Sequence, residues 1–348
     1  MVTSNIQLNF KPKVVTKKLL TNLKDRARDV ITKRYGLEEE DTQTLQAIGD
    51  LYGITRERVR QIENFALKAI RNSHTFAEAQ EIFDELKSAL YTLGGVVHEE
   101  HLLQKLSKDK VTQNHLNLYL VLGDEFTRLK EDNNFKARWT VDAQLANKIE
   151  DVLHAIHDSL NDNDLHDETE MVRRFIEKAT EKNIPSENRN DDIARRLLWM
   201  SKVIGKNKLG HWGKSASPNI KTRGIRDLAY LVMRNHGSPM HFREVAKAIS
   251  TIFSHPTHTA TCHNELIKDE RFVLIGRGMY GLKEWGYRQG TAREVIEQII
   301  KEEKKPMSRD EIIDRVMKER YLKRNTILVN LQNPKFFKKN KEGMYSVV

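Results

Sequence analysis

A chain of 348 residues, 39% hydrophobic and 31% charged, has room for roughly two to four modest domains of soluble globular material. No apolar run reaches the roughly eighteen residues that a spanning helix needs, and the opening MVTSNIQLNFKPKVV lacks an apolar signal core, so a cytoplasmic protein without membrane attachment is expected. The single cysteine, Cys262, excludes an internal disulfide and paired-cysteine zinc sites, and the net charge of +10 gathers at the two ends, with 14 Lys and Arg against 9 Asp and Glu in residues 1–75 and 15 against 9 in residues 288–348.

Basic ends suit phosphate, which makes nucleic acid the first partner to weigh. The earliest strong pattern is TLQAIGDLYGITRERVRQIENFALKAIR, Thr44–Arg71. Its apolar residues Ile48, Tyr52, Ile54, Val59 and Ile62 are spaced for two helices that cross at a tight turn, with Gly49 at the close approach. Gly53 suits a turn position of positive φ, and Thr55 can cap a second helix beginning near Thr55 or Arg56. Val59, Ile62, Phe65 and Ala66 are expected on its inner side.

This is the layout of a helix-turn-helix that presents the N-terminal half of its second helix to the major groove. Arg56, Glu57 and Gln61 are the base-reading candidates, since arginine forks onto guanine, glutamate accepts from cytosine and glutamine pairs with adenine. Thr55, Arg58, Arg60 and Lys68 are candidates for phosphate. The plainer alternative is a surface helix laced with i,i+4 pairs.

The stretch resembles region 4 of the sigma-70 family of bacterial transcription initiation factors, most specifically in TRERVRQIE, and Leu19–Leu37 is similar to the helical first half of that region. The likeness spans residues 14–75. It implies that Arg56, Glu57 and Gln61 contact a promoter −35 element in double-stranded DNA, and that the module can dock on the flap of RNA polymerase. A complete sigma factor also carries a −10-recognising region ahead of region 4. Only about thirteen residues precede the module here, so initiation by this chain alone is not expected.

An internal repeat follows. Pro239-Met240 and Glu244-Val245 match Pro306-Met307 and Glu311-Ile312, while Thr261, Leu266, Phe272 and Gly278-Met279-Tyr280 match Thr326, Leu331, Phe337 and Gly343-Met344-Tyr345. Each copy reads as three amphipathic helices and a glycine-turned hairpin, the order of a winged helix. Residues 222–286 resemble the HARE-HTH domain typified by the delta subunit of bacterial RNA polymerase, and residues 291–348 are a weaker relative. Residues 80–142 and 148–214 read as degenerate copies. Lys214–Gly224 is the expected linker, and HDSLNDNDLHDETE reads as an exposed loop or a helix-cap region.

The last copy is basic. Lys323, Arg324, Lys335, Lys338, Lys339 and Lys341 surround Phe336 and Phe337, either as a nonspecific duplex grip or as solubilising charge around a wing core. His255, His258, Cys262 and His263 offer metal-ligand chemistry in nine residues, but the sister copy RNTILVN carries none of it, so neither metal nor cofactor is expected. P-loop and Gly-x-Ser-x-Gly motifs are absent, and His211 and Trp212 are read as structural.

The expectation is therefore a mainly α protein, a region 4-like head followed by tandem winged helices. It would act as a non-enzymatic promoter-binding regulator that also contacts polymerase and is monomeric for want of a heptad run. The alternatives are a delta-like polymerase accessory subunit with only nonspecific DNA contact, and a nucleoid-associated protein.

Overall fold

A computed structural model describes residues 6–287, 290–320 and 322–348; the first five residues of the opening stretch discussed above lie outside them. Among the described residues there are seventeen α-helices and ten short strands, and no helix is long and apolar enough to cross a membrane. The chain divides between Ala216 and Ser217 into two compact units. That division falls within the expected linker.

The first unit opens with α1 (Pro12–Leu19), α2 (Asp25–Tyr35), α3 (Leu45–Tyr52), α4 (Arg56–Arg71) and the short α5 (His74–Ala77). Proline at the start of α1 spares an amide that would have no helical partner anyway. Gly36 ends α2 and Gly53 ends α3, both at φ 63°, a conformation that costs glycine nothing. Thr44 and Thr55 then start α3 and α4 by accepting from the backbone N–H groups of Ala47 at 3.1 Å and Arg58 at 3.2 Å. Val30, Ile48 and Val59 are fully buried together, with Leu45, Tyr52, Ile54 and Ile62 packed around them.

Next come α6 (Gln80–Thr92), β1 (Val96–His98), α7 (Glu99–Leu106), α8 (Lys110–Leu122), β2 (Thr127–Leu129) and β3 (Arg138–Thr140). The three strands form an antiparallel sheet with β3 in the middle, Trp139 facing Val97 on one side and Arg128 on the other. The unit ends with α9 (Ala143–Ser159), α10 (Glu168–Glu181), α11 (Asp191–Met200), β4 (Ile204–Lys206) and β5 (Trp212–Lys214), and His166 bridges to Trp212. Most of the acidic stretch at 157–170 is thus connection and cap. Helix α9 runs through Ser159, and Asp167 starts α10 by accepting from the Glu170 N–H at 2.7 Å.

Helix α8 buries Gln113, Asn114, His115, Leu116, Leu118, Tyr119, Leu120 and Leu122, far more than one stripe. Leu19, Leu23, Ile31, Leu67 and Ile70 of the head share one core with Leu86, Leu90, Leu116 and Leu120. Burial on two sides explains the helix: one face serves its own segment and the other serves the head.

The second unit contains α12 (Ile225–His236), β6 (Met240–His241), α13 (Phe242–Phe253), α14 (Thr259–Lys268), β7 (Phe272–Leu274) and β8 (Met279–Leu282), then α15 (Ala292–Glu303), α16 (Arg309–Glu319), α17 (Arg324–Leu331), β9 (Phe337–Lys339) and β10 (Tyr345–Val347). The repeated sequence positions meet in the same way in both halves. Met240 pairs with Tyr280, and Met307 bridges to Tyr345. In each half a reciprocal cap starts the second helix, His241 with Glu244 and Ser308 with Glu311. Arg320 joins the halves, its guanidinium donating to the Leu274 carbonyl at 2.7 Å and to that of Gly290.

Candidate nucleic-acid interface

Everything about α4 follows from which of its faces is held. Val59, Ala66, Leu67 and Ile70 are buried, whereas Arg56, Glu57, Arg58, Arg60, Gln61, Asn64, Phe65 and Lys68 are exposed. The expectation that Phe65 faces inward is wrong: it is 67% exposed. At 100° per residue, Val59, Ala66 and Ile70 fall within roughly 40° of one another, while Phe65 lies roughly 100° or more around the helix. Counting i+3 and i+4 steps from Ile62 had placed it inside; the core is centred on the other flank of Ile62.

The turn before α4 has almost no slack. A Cβ on Gly49 would stand 2.7 Å from the Ile54 carbonyl oxygen, so only glycine lets α3 approach the chain that enters α4. Three contacts missed by the sequence reading then fix the rest of the helix. Arg34 of α2 pairs with Glu63 at 3.4 Å. Arg71 donates from Nε to the Leu122 carbonyl at 2.9 Å and from Nη2 to that of Val121 at 2.6 Å, which ties the end of α4 to the end of α8. No local signal announces these pairs, because their partners lie on other helices.

The outward face is already ordered. Arg60 donates to both carboxylate oxygens of Glu57, at 2.9 and 2.7 Å. That pairing holds the Glu57 carboxyl below the usual carboxylate range and raises Arg60 further. Arg58 donates from Nη1 to Gln61 Oε1 at 3.0 Å, leaving the Gln61 amide N–H groups outward. Among the described residues, Arg56 and Lys68 make no side-chain hydrogen bond or ion pair. The Thr55 hydroxyl is occupied as an acceptor by its cap and keeps its proton for donation. Arg56, Glu57, Arg58, Arg60, Gln61 and Lys68 thus stand on one continuous polar surface, in which two of the three base-reading candidates are braced by two of the phosphate candidates.

At the other end of the chain, Phe337 is buried and Phe336 is half-buried, with the Arg293 guanidinium 4.2 Å from its ring centre, so both aromatics belong to the packing of this segment. Lys323, Arg324, Lys335, Lys338, Lys339 and Lys341 are exposed. They do not form one face. Lys338 opposite Ser346 and Lys339 opposite Tyr345 point to opposite sides of the β9–β10 pair, and Lys339 Nζ lies 5.9 Å from the Tyr345 ring centre. Arg324 is paired with Asp310 at 2.5 Å.

The His/Cys stretch is dispersed. The Cys262 thiol is buried and pushed up to about 11 by that burial, the His263 ring stacks on Phe242 at 4.3 Å, and His255 bonds to Thr257 at 3.2 Å. Among the described residues, no group of three or more His, Cys, Asp or Glu is placed to hold a metal ion.

Comparison with known proteins locates the likeness. Residues 19–72 match the family model of sigma-70, region 4. The RNA polymerase sigma factor SigA of Nostoc sp. is 47% identical over 55 residues, covering 16% of this chain and 14% of that protein. The RNA polymerase sigma factor SigA1 of Synechococcus elongatus is 48% identical over 54 residues, again 16% and 14%. The chain thus spans about a seventh of the length of these curated relatives. The matched residues fold as α2, α3 and α4, a sigma-70 region 4 helix-turn-helix.

Proposed function

We propose that this protein is a DNA-binding transcription regulator that reads a −35-like promoter element through α4 and contacts RNA polymerase. The observation that carries the reading is the exposed polar face of α4, with Arg56, Glu57 and Gln61 on its first two turns, in the segment that matches region 4. Arg56 would fork onto guanine, Glu57 would accept from cytosine and Gln61 would donate to a purine or thymine acceptor. Thr55, Arg58, Arg60 and Lys68 would hold the flanking phosphates. Polymerase enters as a partner because both relatives bear the name of RNA polymerase sigma factors.

In this reading the four stretches 80–142, 148–214, 222–286 and 291–348 are winged helices, each running helix, short strand or bridge, helix, helix and antiparallel hairpin. The last of them, with its lysines, adds a nonspecific duplex contact. In this reading the protein works as a monomer at the nucleoid and is not an enzyme.

The test is fluorescence anisotropy of the full-length protein on a duplex carrying TTGACA and on a scrambled duplex, at two salt concentrations. A preference of about a hundredfold or more that disappears with Arg56→Ala is expected. Equal, steeply salt-dependent binding to both would replace this reading with that of a delta-like accessory subunit, whose primary partner is the polymerase.

A further inference from the structure

Phe65 is the exposed aromatic on a face that is otherwise polar. Glu57, Gln61 and Phe65 lie at successive four-residue steps, so they form one ridge along α4. From Glu57 to Phe65 the ridge is about 12 Å long, close to the width of the major groove, about 12 Å. The nearest side chains to Phe65 on α4 are exposed Gln61 and Lys68 toward the outer surface and half-buried Ile62 and Ala69 toward the core. An amide and a cation on the outward side of one apolar ring, on the ridge that carries the base-reading candidates, suit a polyanionic groove that offers one apolar group. DNA has one such group in that groove, the C5-methyl of thymine.

We infer that Phe65 is a specificity-determining residue that packs on the C5-methyl of one thymine at the far end of the ridge from Glu57. Position and chemistry divide the task. Arg56, Glu57 and Gln61 read hydrogen-bonding edges, and Phe65 reads a methyl, so one base position is recognised by contact alone and without a polar partner. The inference rests on the promoter-reading function proposed above and adds to it a requirement for the thymine methyl, which no hydrogen-bonding residue of α4 would impose.

The experiment uses the full-length protein and the duplex on which Arg56-dependent preference is measured, with each thymine in turn replaced by uracil. That exchange removes the methyl and leaves every hydrogen-bonding group in place. Wild-type protein should lose about fourfold in affinity at one thymine, the effect of one apolar carbon taken from contact, and little at the others. Phe65→Ala should show the same loss on the unmodified duplex and be indifferent to uracil at that position; Phe65→Leu should recover part of the methyl dependence. Since the ring is exposed, these variants should retain the wild-type unfolding midpoint, which is measured alongside. If Arg56-dependent preference is present but wild type and Phe65→Ala respond identically to every uracil, this inference alone is overturned. If there is no Arg56-dependent preference, both it and the proposed function fall.

Discussion

The side-chain amide of Asn114 on α8 donates to the backbone carbonyl of Gly36, 2.9 Å away and 78 residues earlier in the chain. The same nitrogen lies 3.3 and 3.1 Å from the carbonyls of Glu39 and Glu40. Nearby, Thr16 Oγ1 shares hydrogen bonds with His115 Nδ1 at 2.8 Å and with the Tyr119 hydroxyl at 2.6 Å. The head is therefore clamped by the helix that follows it in space, and the loop between α2 and α3 has its carbonyls satisfied by a side chain.

Removing that amide should loosen the head. Asn114→Ala leaves the buried Gly36 carbonyl without this donor, which typically costs about 1–3 kcal/mol. The urea midpoint of the full chain, followed by circular dichroism, should fall accordingly. An unchanged midpoint would mean the clamp contributes nothing.

The two glycines around the turn should differ. Gly49→Ala places a methyl 2.7 Å from the Ile54 carbonyl oxygen, a backbone clash of the kind that costs about 1–3 kcal/mol. Gly53→Ala meets nothing within 4 Å but holds φ at +63°, for a penalty of about 1–2 kcal/mol. Only Gly49→Ala should also weaken DNA binding, because it displaces the start of α4. Thermal melts and anisotropy on the same samples would expose a reversed order.

Arg56 and Arg60 should separate by sequence dependence. Arg56→Ala is expected to cost about 1–3 kcal/mol at one base position. Arg60→Ala should weaken binding to every duplex and shrink the salt slope by about 0.9, and, by removing the brace on Glu57, also relax the preference at the base that Glu57 reads. Were Arg60→Ala to act at one base only, its assignment to phosphate would be wrong.

The C-terminal lysines should be unequal. Lys338 and Lys339 face opposite sides of their strand pair, so one duplex cannot engage both equally. If that segment grips DNA, one of Lys338→Ala and Lys339→Ala should lower the salt slope by about 0.9 and the other should leave it unchanged. Identical effects of both would indicate a diffuse charge effect.

Cys262 should be inert in the native protein. Its burial pushes the thiol up to about 11 from the ordinary 9.0, so at pH 8 the folded protein holds it protonated and shielded. Because the folded state keeps this proton more tightly than the unfolded chain, the associated stability is present below pH 9 and declines as pH rises through about 11. Thiol titration with a disulfide reagent should proceed slowly in buffer and quickly in denaturant. Rapid native reaction would show that the site opens.

The sequence by itself determined the local events. Glycines at 49 and 53, the threonine cap at 55 and the apolar spacing of Ile48, Tyr52, Ile54 and Val59 are enough to write the helix-turn-helix, because each acts within a few residues. The Pro-Met and Gly-Met-Tyr repeats likewise gave the correspondence between the two copies, and the structure adds that Met240 pairs with Tyr280 and Met307 bridges to Tyr345. What only the tertiary structure decided depends on partners far away in the chain. Phe65 follows the apolar pattern of α4, yet the core is centred on Val59, Ala66 and Ile70 and leaves it in solvent. Asn114 and Arg71 look like ordinary polar residues until α8 is seen packed on the head, where one satisfies the carbonyls after α2 and the other those at the end of α8. Periodicity states that a helix has an inner face, but the direction of that face is set by what packs against it.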